Sequence, residues 1–62
     1  MKVPALRSTR EAHTLSQAEL AERAKVDKST IVRLEAGGDA QPRTIRKLAD
    51  ALNVTPDQIK GE

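Results

Sequence analysis

Residues 16–35 read SQAELAERAKVDKSTIVRLE, and within them the signals for a helix start and a helix run occur twice. Ser16 stands three residues before Glu19, the spacing of a capping box, in which each side chain accepts the other residue's backbone N–H. Leu20, Ala21 and Ala24 follow at helical spacing and make a narrow apolar face. Val26 plugs a turn too tight to hold a strand, and Asp27 stands where a carboxylate caps the next helix. On that second helix, at about 100° per residue, Ile31 and Leu34 point inward. Lys28, Ser29, Val32 and Arg33 fall on the opposite side, with Thr30 and Glu35 on the flanks. The stretch predicts two short helices joined by a turn, the second with a short, mixed outward face.

That face has the chemistry of base-edge recognition. Lysine and arginine donate to guanine O6 and N7, serine donates or accepts, and valine meets a thymine methyl. A helix of this width fits the major groove of B-DNA. Two cations on a helix face are also what many solvated surfaces carry, so the face takes its meaning from the sequence around it.

The string Leu15-Ser16-Gln17-Ala18-Glu19-Leu20-Ala21, followed by Val26, Ile31 and Glu35-Ala36-Gly37, resembles the helix-turn-helix domains of lambdoid phage repressors and Cro proteins. The resemblance runs from about Leu6 to Ile59. No single dipeptide in it is diagnostic; the Leu-Ser-Gln start, the Glu-Leu-Ala helix and the Glu-x-Gly end are specific together. It implies an all-α fold, a compact five-helix repressor-type domain with helices 2 and 3 as the helix-turn-helix, and sequence-specific binding of double-stranded DNA. It further implies that an arginine of helix 1, here Arg10, pairs with Glu35 at the end of helix 3, with Arg7 as a competing partner for that carboxylate. Gln17, at a helix N-terminus where free N–H groups favour an anion, is expected to clamp a DNA phosphate. Thr30, the Gly37-Gly38 backbone and Arg43 complete the expected phosphate contacts, and Lys28, Ser29, Val32 and Arg33 are expected to read bases. One departure stands out. The family has glycine where this chain has Lys25, at a turn that favours a positive φ, and a side chain there costs about 1 kcal/mol.

Composition sets bounds on this reading. The 62 residues hold no aromatic side chain and no cysteine, and the large aliphatic side chains are six leucines, three isoleucines and four valines. That is room for one helix-turn-helix DNA-binding domain over residues 1–62, of modest stability. The net charge of +2 permits a nucleic-acid partner without indicating one. No apolar run approaches membrane-spanning length and no signal-peptide core is present, so a cytoplasmic location is expected, with no membrane partner.

Around the central stretch, Met1 to Val3 reads as a short arm, and Pro4 suits the first turn of helix 1. Leu6, Arg10 and His13 form one stripe of that helix, which predicts a half-buried structural histidine near its C-terminus. Gly37-Gly38-Asp39 ends helix 3, and Pro42 opens helix 4. Ile45, Leu48, Ala49 and Leu52 give a regular core stripe, with Arg43, Arg46 and Lys47 lying off it near the N-terminal end. Thr55, Pro56 and Gln58 open a final turn.

Paired carboxylates, a nucleophile with its base, and a metal cluster do not stand out, so no enzyme, cofactor or small-molecule ligand is expected. The expected role is transcriptional regulation, as a repressor that shades a promoter. The alternatives are an antitoxin or docking module on the same fold, or the DNA-binding head of a longer repressor. A single head with few cations binds DNA weakly, so a palindromic operator holding two copies is expected. Their weak contact would form mainly on DNA, through Gln41, Pro42, Pro56, Asp57 and Ile59.

Overall fold

A computed structural model describes residues 1–61, and among them all regular structure is helical. Five helices follow in order: α1 (Leu6–Ala12), α2 (Gln17–Ala24), α3 (Lys28–Glu35), α4 (Pro42–Leu52) and α5 (Pro56–Lys60). The all-α, five-helix fold expected from the sequence is what forms. α3 packs against α2 and α1, while α4 lies against α2 and α5. The molecule measures 23 × 20 × 18 Å.

Local sequence explains most helix boundaries. At the start of α2, Ser16 Oγ accepts the Glu19 N–H at 3.0 Å and Glu19 Oε1 accepts the Ser16 N–H at 2.9 Å, a complete capping box. The Ser16 N–H, aided by the Ser16 side chain, also holds the Glu19 carboxyl below its ordinary range. α2 ends at Lys25, whose φ of 58° and ψ of 45° are left-handed, so the expected non-glycine strain sits in the turn. Thr14 and Asn53 share this conformation, with φ of 58° and 56°. Thr14 is the more costly, because its branched Cβ crowds the backbone there. Proline opens both α4 and α5, where its missing N–H removes nothing the helix uses. The glutamine of the final turn acts as expected, Gln58 Oε1 accepting the Thr55 N–H at 3.1 Å.

The core is made of side chains from every helix. Leu6, Leu20, Ile31, Leu34, Leu48, Leu52 and Ile59 are sealed from solvent, and Ile45 and Ala49 complete the α4 stripe. With no aromatic ring to fill space, the core depends on leucine and isoleucine side chains and small alanines.

Several expectations fail. Met1 to Val3 is not a free arm: Val3 is buried, Ala40 N–H donates to Met1 O at 2.7 Å, and Lys2 Nζ donates to Gly37 O. The arm docks because Val3 has apolar surface to bury and the α3–α4 loop offers unpaired backbone groups. Pro4 lies in a turn ahead of α1 rather than inside it, with the Leu6 N–H donating to Val3 O at 3.0 Å. His13 is exposed rather than half-buried, because α1 ends at Ala12 and the chain reverses through Thr14 before the stripe reaches it. Asp27 occupies the N-cap position of α3, but its side chain makes no cap bond. It is exposed to solvent instead. Ile59 is fully buried within this chain, where Ala5 N–H also grips its carbonyl at 3.1 Å. It therefore drops out of any dimer surface.

Candidate nucleic-acid interface

α3 presents its outward side chains because its inward ones are anchored. Ile31 and Leu34 fill the core. Glu35 is tied by three bonds: Arg10 Nε donates to Oε2 at 2.6 Å, Arg10 Nη2 to Oε1 at 3.0 Å, and Gln17 Nε2 to Oε1 at 3.1 Å. The Arg10 and Glu35 side chains are only 10% and 5% exposed. Arg10 Nη1 also donates to Leu15 O at 2.7 Å, so one guanidinium ties α1, the α1–α2 turn and α3 together. Burial pushes the Glu35 carboxyl up, but the bonds from Arg10 and Gln17 outweigh it and hold the group below its ordinary value. The hydrogen bond with Glu35 likewise raises the Arg10 guanidinium, against the opposing effect of burial. Arg7, the competing candidate, instead pairs with Glu11 at 3.4 Å along α1.

Opposite this lock lie the expected base readers. Lys28, Ser29, Val32 and Arg33 are all exposed. Val32 is 45% exposed, and with Met1 it is one of the two exposed large apolar side chains. Lys28 lies toward the Glu35 flank of the helix and Arg33 toward the Thr30 flank. The Arg33 side chain does not project straight outward. Its Nη1 donates to Asp39 O at 2.9 Å, which folds it over the loop that follows α3.

The expected phosphate contacts occupy separate places. Gln17 is half-buried at the start of α2 and lines an open cavity of about 540 Å³ with Arg7, Arg10, Ser16, Glu35 and Ala36. Its side-chain N–H₂ group already serves Glu35, which orients the amide and leaves Oε1 and the nearby backbone N–H groups for another partner. Thr30 is half-buried on the far flank, in a recess shared with Arg33, Gln41, Pro42 and Thr44. Arg43 is exposed in the first turn of α4. Gly37 and Gly38 differ from the rest. The Gly37 N–H donates to Leu34 O at 3.2 Å and the Gly38 N–H to Arg33 O at 2.9 Å, the paired bonds of a Schellman turn. Protons committed this way are turned into the protein rather than toward a phosphate.

The three cations near the start of α4 do not form one patch. Arg46 borders Met1, Pro56 and Lys60, whereas Lys47 borders Arg23 and Lys25 at the end of α2. Two features of the interface escaped the sequence reading: the docking of Lys2 at the C-terminal end of α3 and the folding of Arg33 over the loop. The Gly-Gly pair was the only available signal for the second.

A helix of 8 residues, locked from behind, exposing a cationic and apolar face and followed by a tight glycine turn, is suited to enter a groove. Among the described residues no helix is long and apolar enough to cross a membrane, and no group of acidic or histidine side chains could hold a metal. No curated protein and no solved structure gives a match. The sequence model of the family described as helix-turn-helix matches residues 6–59. The chain thus belongs to the helix-turn-helix family of Cro/C1-type DNA-binding domains.

Proposed function

We propose that this chain is a transcriptional regulator, acting as a repressor, that binds double-stranded DNA sequence-specifically with α3 in the major groove. The observation that carries the reading is the state of the outer face of α3. Lys28, Ser29 and Val32 lie exposed with no side-chain hydrogen bond or ion pair to the described residues, although the helix beneath them is fixed by Ile31, Leu34 and Glu35. An apolar Val32 left in water between cations is a modest cost that a thymine methyl would relieve. Gln17, Thr30 and Arg43 flank this face and set the register on the phosphates, while Lys28, Ser29, Val32 and Arg33 read base edges. Two copies would occupy a palindromic operator, each with one α3 in successive turns of the groove. Repression then needs no chemistry from this chain, because occupancy of the promoter excludes polymerase.

Selection from a random duplex pool followed by mobility shift tests this reading. Enrichment of a two-fold symmetric site, bound more tightly than scrambled duplex by about a thousandfold or more, is the expected result. Equal binding to every duplex, or none at low salt, refutes it.

A further inference from the structure

Gly38 has no side chain at the one place where a side chain would collide with Arg33. A Cβ built there falls 2.8 Å from Arg33 O, 2.9 Å from Arg33 Cγ and 3.0 Å from Arg33 Nη1. Unlike Gly37, whose φ is 104°, Gly38 does not need glycine for its backbone angles. What requires glycine here is space. The Arg33 stem lies across the bare Cα, and the guanidinium reaches past it to Asp39 O at 2.9 Å. The same residue closes the Schellman turn onto Arg33 O at 2.9 Å. Backbone and side chain of Arg33 are therefore both held by the loop that follows α3, at Gly38 and Asp39.

We propose that Gly38 is a positioning residue that sets base specificity through Arg33. Its missing Cβ forms a shallow seat for the arginine stem, and the Asp39 carbonyl occupies one donor of the guanidinium fork. The remaining donors point from the loop-side edge of α3, beside Thr30, rather than from the centre of the face. A guanidinium fixed in this way loses less freedom on meeting guanine than a free arginine does. It also reads one base pair near the loop-side end of the half-site, while Lys28 serves the opposite flank. The proposal deepens the DNA-binding reading above and rests on it.

The test is Gly38→Ala, measured with Arg33→Ala and the double variant against the selected operator and its single-base-pair variants. Gly38→Ala should lower discrimination at the base pair that Arg33→Ala flattens, and at no other. The loss should be about two- to tenfold, the range for freezing one long side chain. In the Arg33→Ala background the same substitution should leave discrimination unchanged within twofold. Thermal midpoints can fall in both backgrounds, since the collision with Arg33 O remains, but a stability loss alone does not move one base pair. An equal loss on every duplex, or the same loss with and without Arg33, overturns the proposal.

The wild-type protein supplies a second readout should Gly38→Ala not fold. The Arg33 guanidinium resonances of the free protein should show slowed rotation and slowed solvent exchange relative to those of exposed Arg43. Averaging as fast as that of Arg43 would overturn the proposal. If wild type itself shows no preference among duplexes while Arg33 is held, the DNA-binding reading fails and the positional claim falls with it. If wild type discriminates and Arg33 is free, only the role of Gly38 fails.

Discussion

Removing Arg10 should nearly unfold this protein, and the geometry says by how much. Arg10→Met keeps the stem volume but deletes the guanidinium, which breaks two bonds to Glu35 and one to the Leu15 carbonyl. Glu35, 5% exposed in the intact pair, is then left with only the Gln17 amide to stabilise its charge. Breaking a buried pair from one side costs about 3–5 kcal/mol. A chain of 62 residues has about 3–9 kcal/mol in total at the usual 0.05–0.15 kcal/mol per residue. At about 4–8 °C per kcal/mol, the thermal midpoint should fall by about 12 °C or more.

Glu35→Gln should cost less than Arg10→Met, because an amide still accepts one arginine N–H and the Leu15 carbonyl keeps its donor. The double variant Arg10→Met/Glu35→Leu should be more stable than the sum of the single losses predicts, since no charge is stranded. Circular dichroism at 222 nm against temperature measures all of these. Additive shifts, or a midpoint for Arg10→Met within about 3 °C of wild type, would mean the pair does not hold α1 to α3.

Acid reads the same lock. Folding lowers the Glu35 carboxyl, so its contribution is complete above the ordinary value of 4.5 and is lost as pH falls through the depressed one. The midpoint should be flat from neutrality to about that value and then decline. Glu35→Gln should show a shallower decline, the remainder including Glu19, which folding also lowers.

Arg33→Ala should weaken the preferred operator by about 1–3 kcal/mol and flatten discrimination at one base pair per half-site, whereas Arg43→Ala should weaken all duplexes alike and reduce the salt slope by about one unit per head. A binding panel repeated at several salt concentrations separates the two, and the reverse pattern would place the reading face elsewhere. Sedimentation at saturation should find two proteins per operator and mostly monomer without DNA, since Ile59 is buried and the remaining contact candidates Gln41, Pro42, Pro56 and Asp57 offer little apolar area. One protein per operator would refute the paired arrangement. Thr14→Gly and Lys25→Gly should each raise stability by about 0.5–1 kcal/mol, because both residues sit at φ 58° with exposed side chains; urea midpoints that fall would show that those side chains stabilise the fold.

The helices of this chain are legible in its sequence because their signals are local. A capping box at Ser16 and Glu19, prolines at 42 and 56, and the stripe of Ile45, Leu48, Ala49 and Leu52 all act within one or two helical turns, where periodicity and unsatisfied N–H groups dictate the outcome. The family followed from the same stretches. Arg10 opposite Glu35 came from the resemblance, since nothing local links residues 25 positions apart.

Tertiary structure decided the rest. Met1 against Ala40, Lys2 on Gly37, and Ile59 beneath α1 are contacts between distant segments, and helical periodicity carries no information about how helices cross. Periodicity assigned Arg33 to the outer face, but a long side chain takes its direction from neighbours, and here Gly38 and Asp39 in the loop past the helix supplied them. The Gly37 and Gly38 N–H groups looked free in a list of residues and are committed in three dimensions, because the turn that ends α3 uses them first. Arg43, Arg46 and Lys47 are near in sequence yet diverge around α4, since steps of 100° separate in space what the chain keeps together.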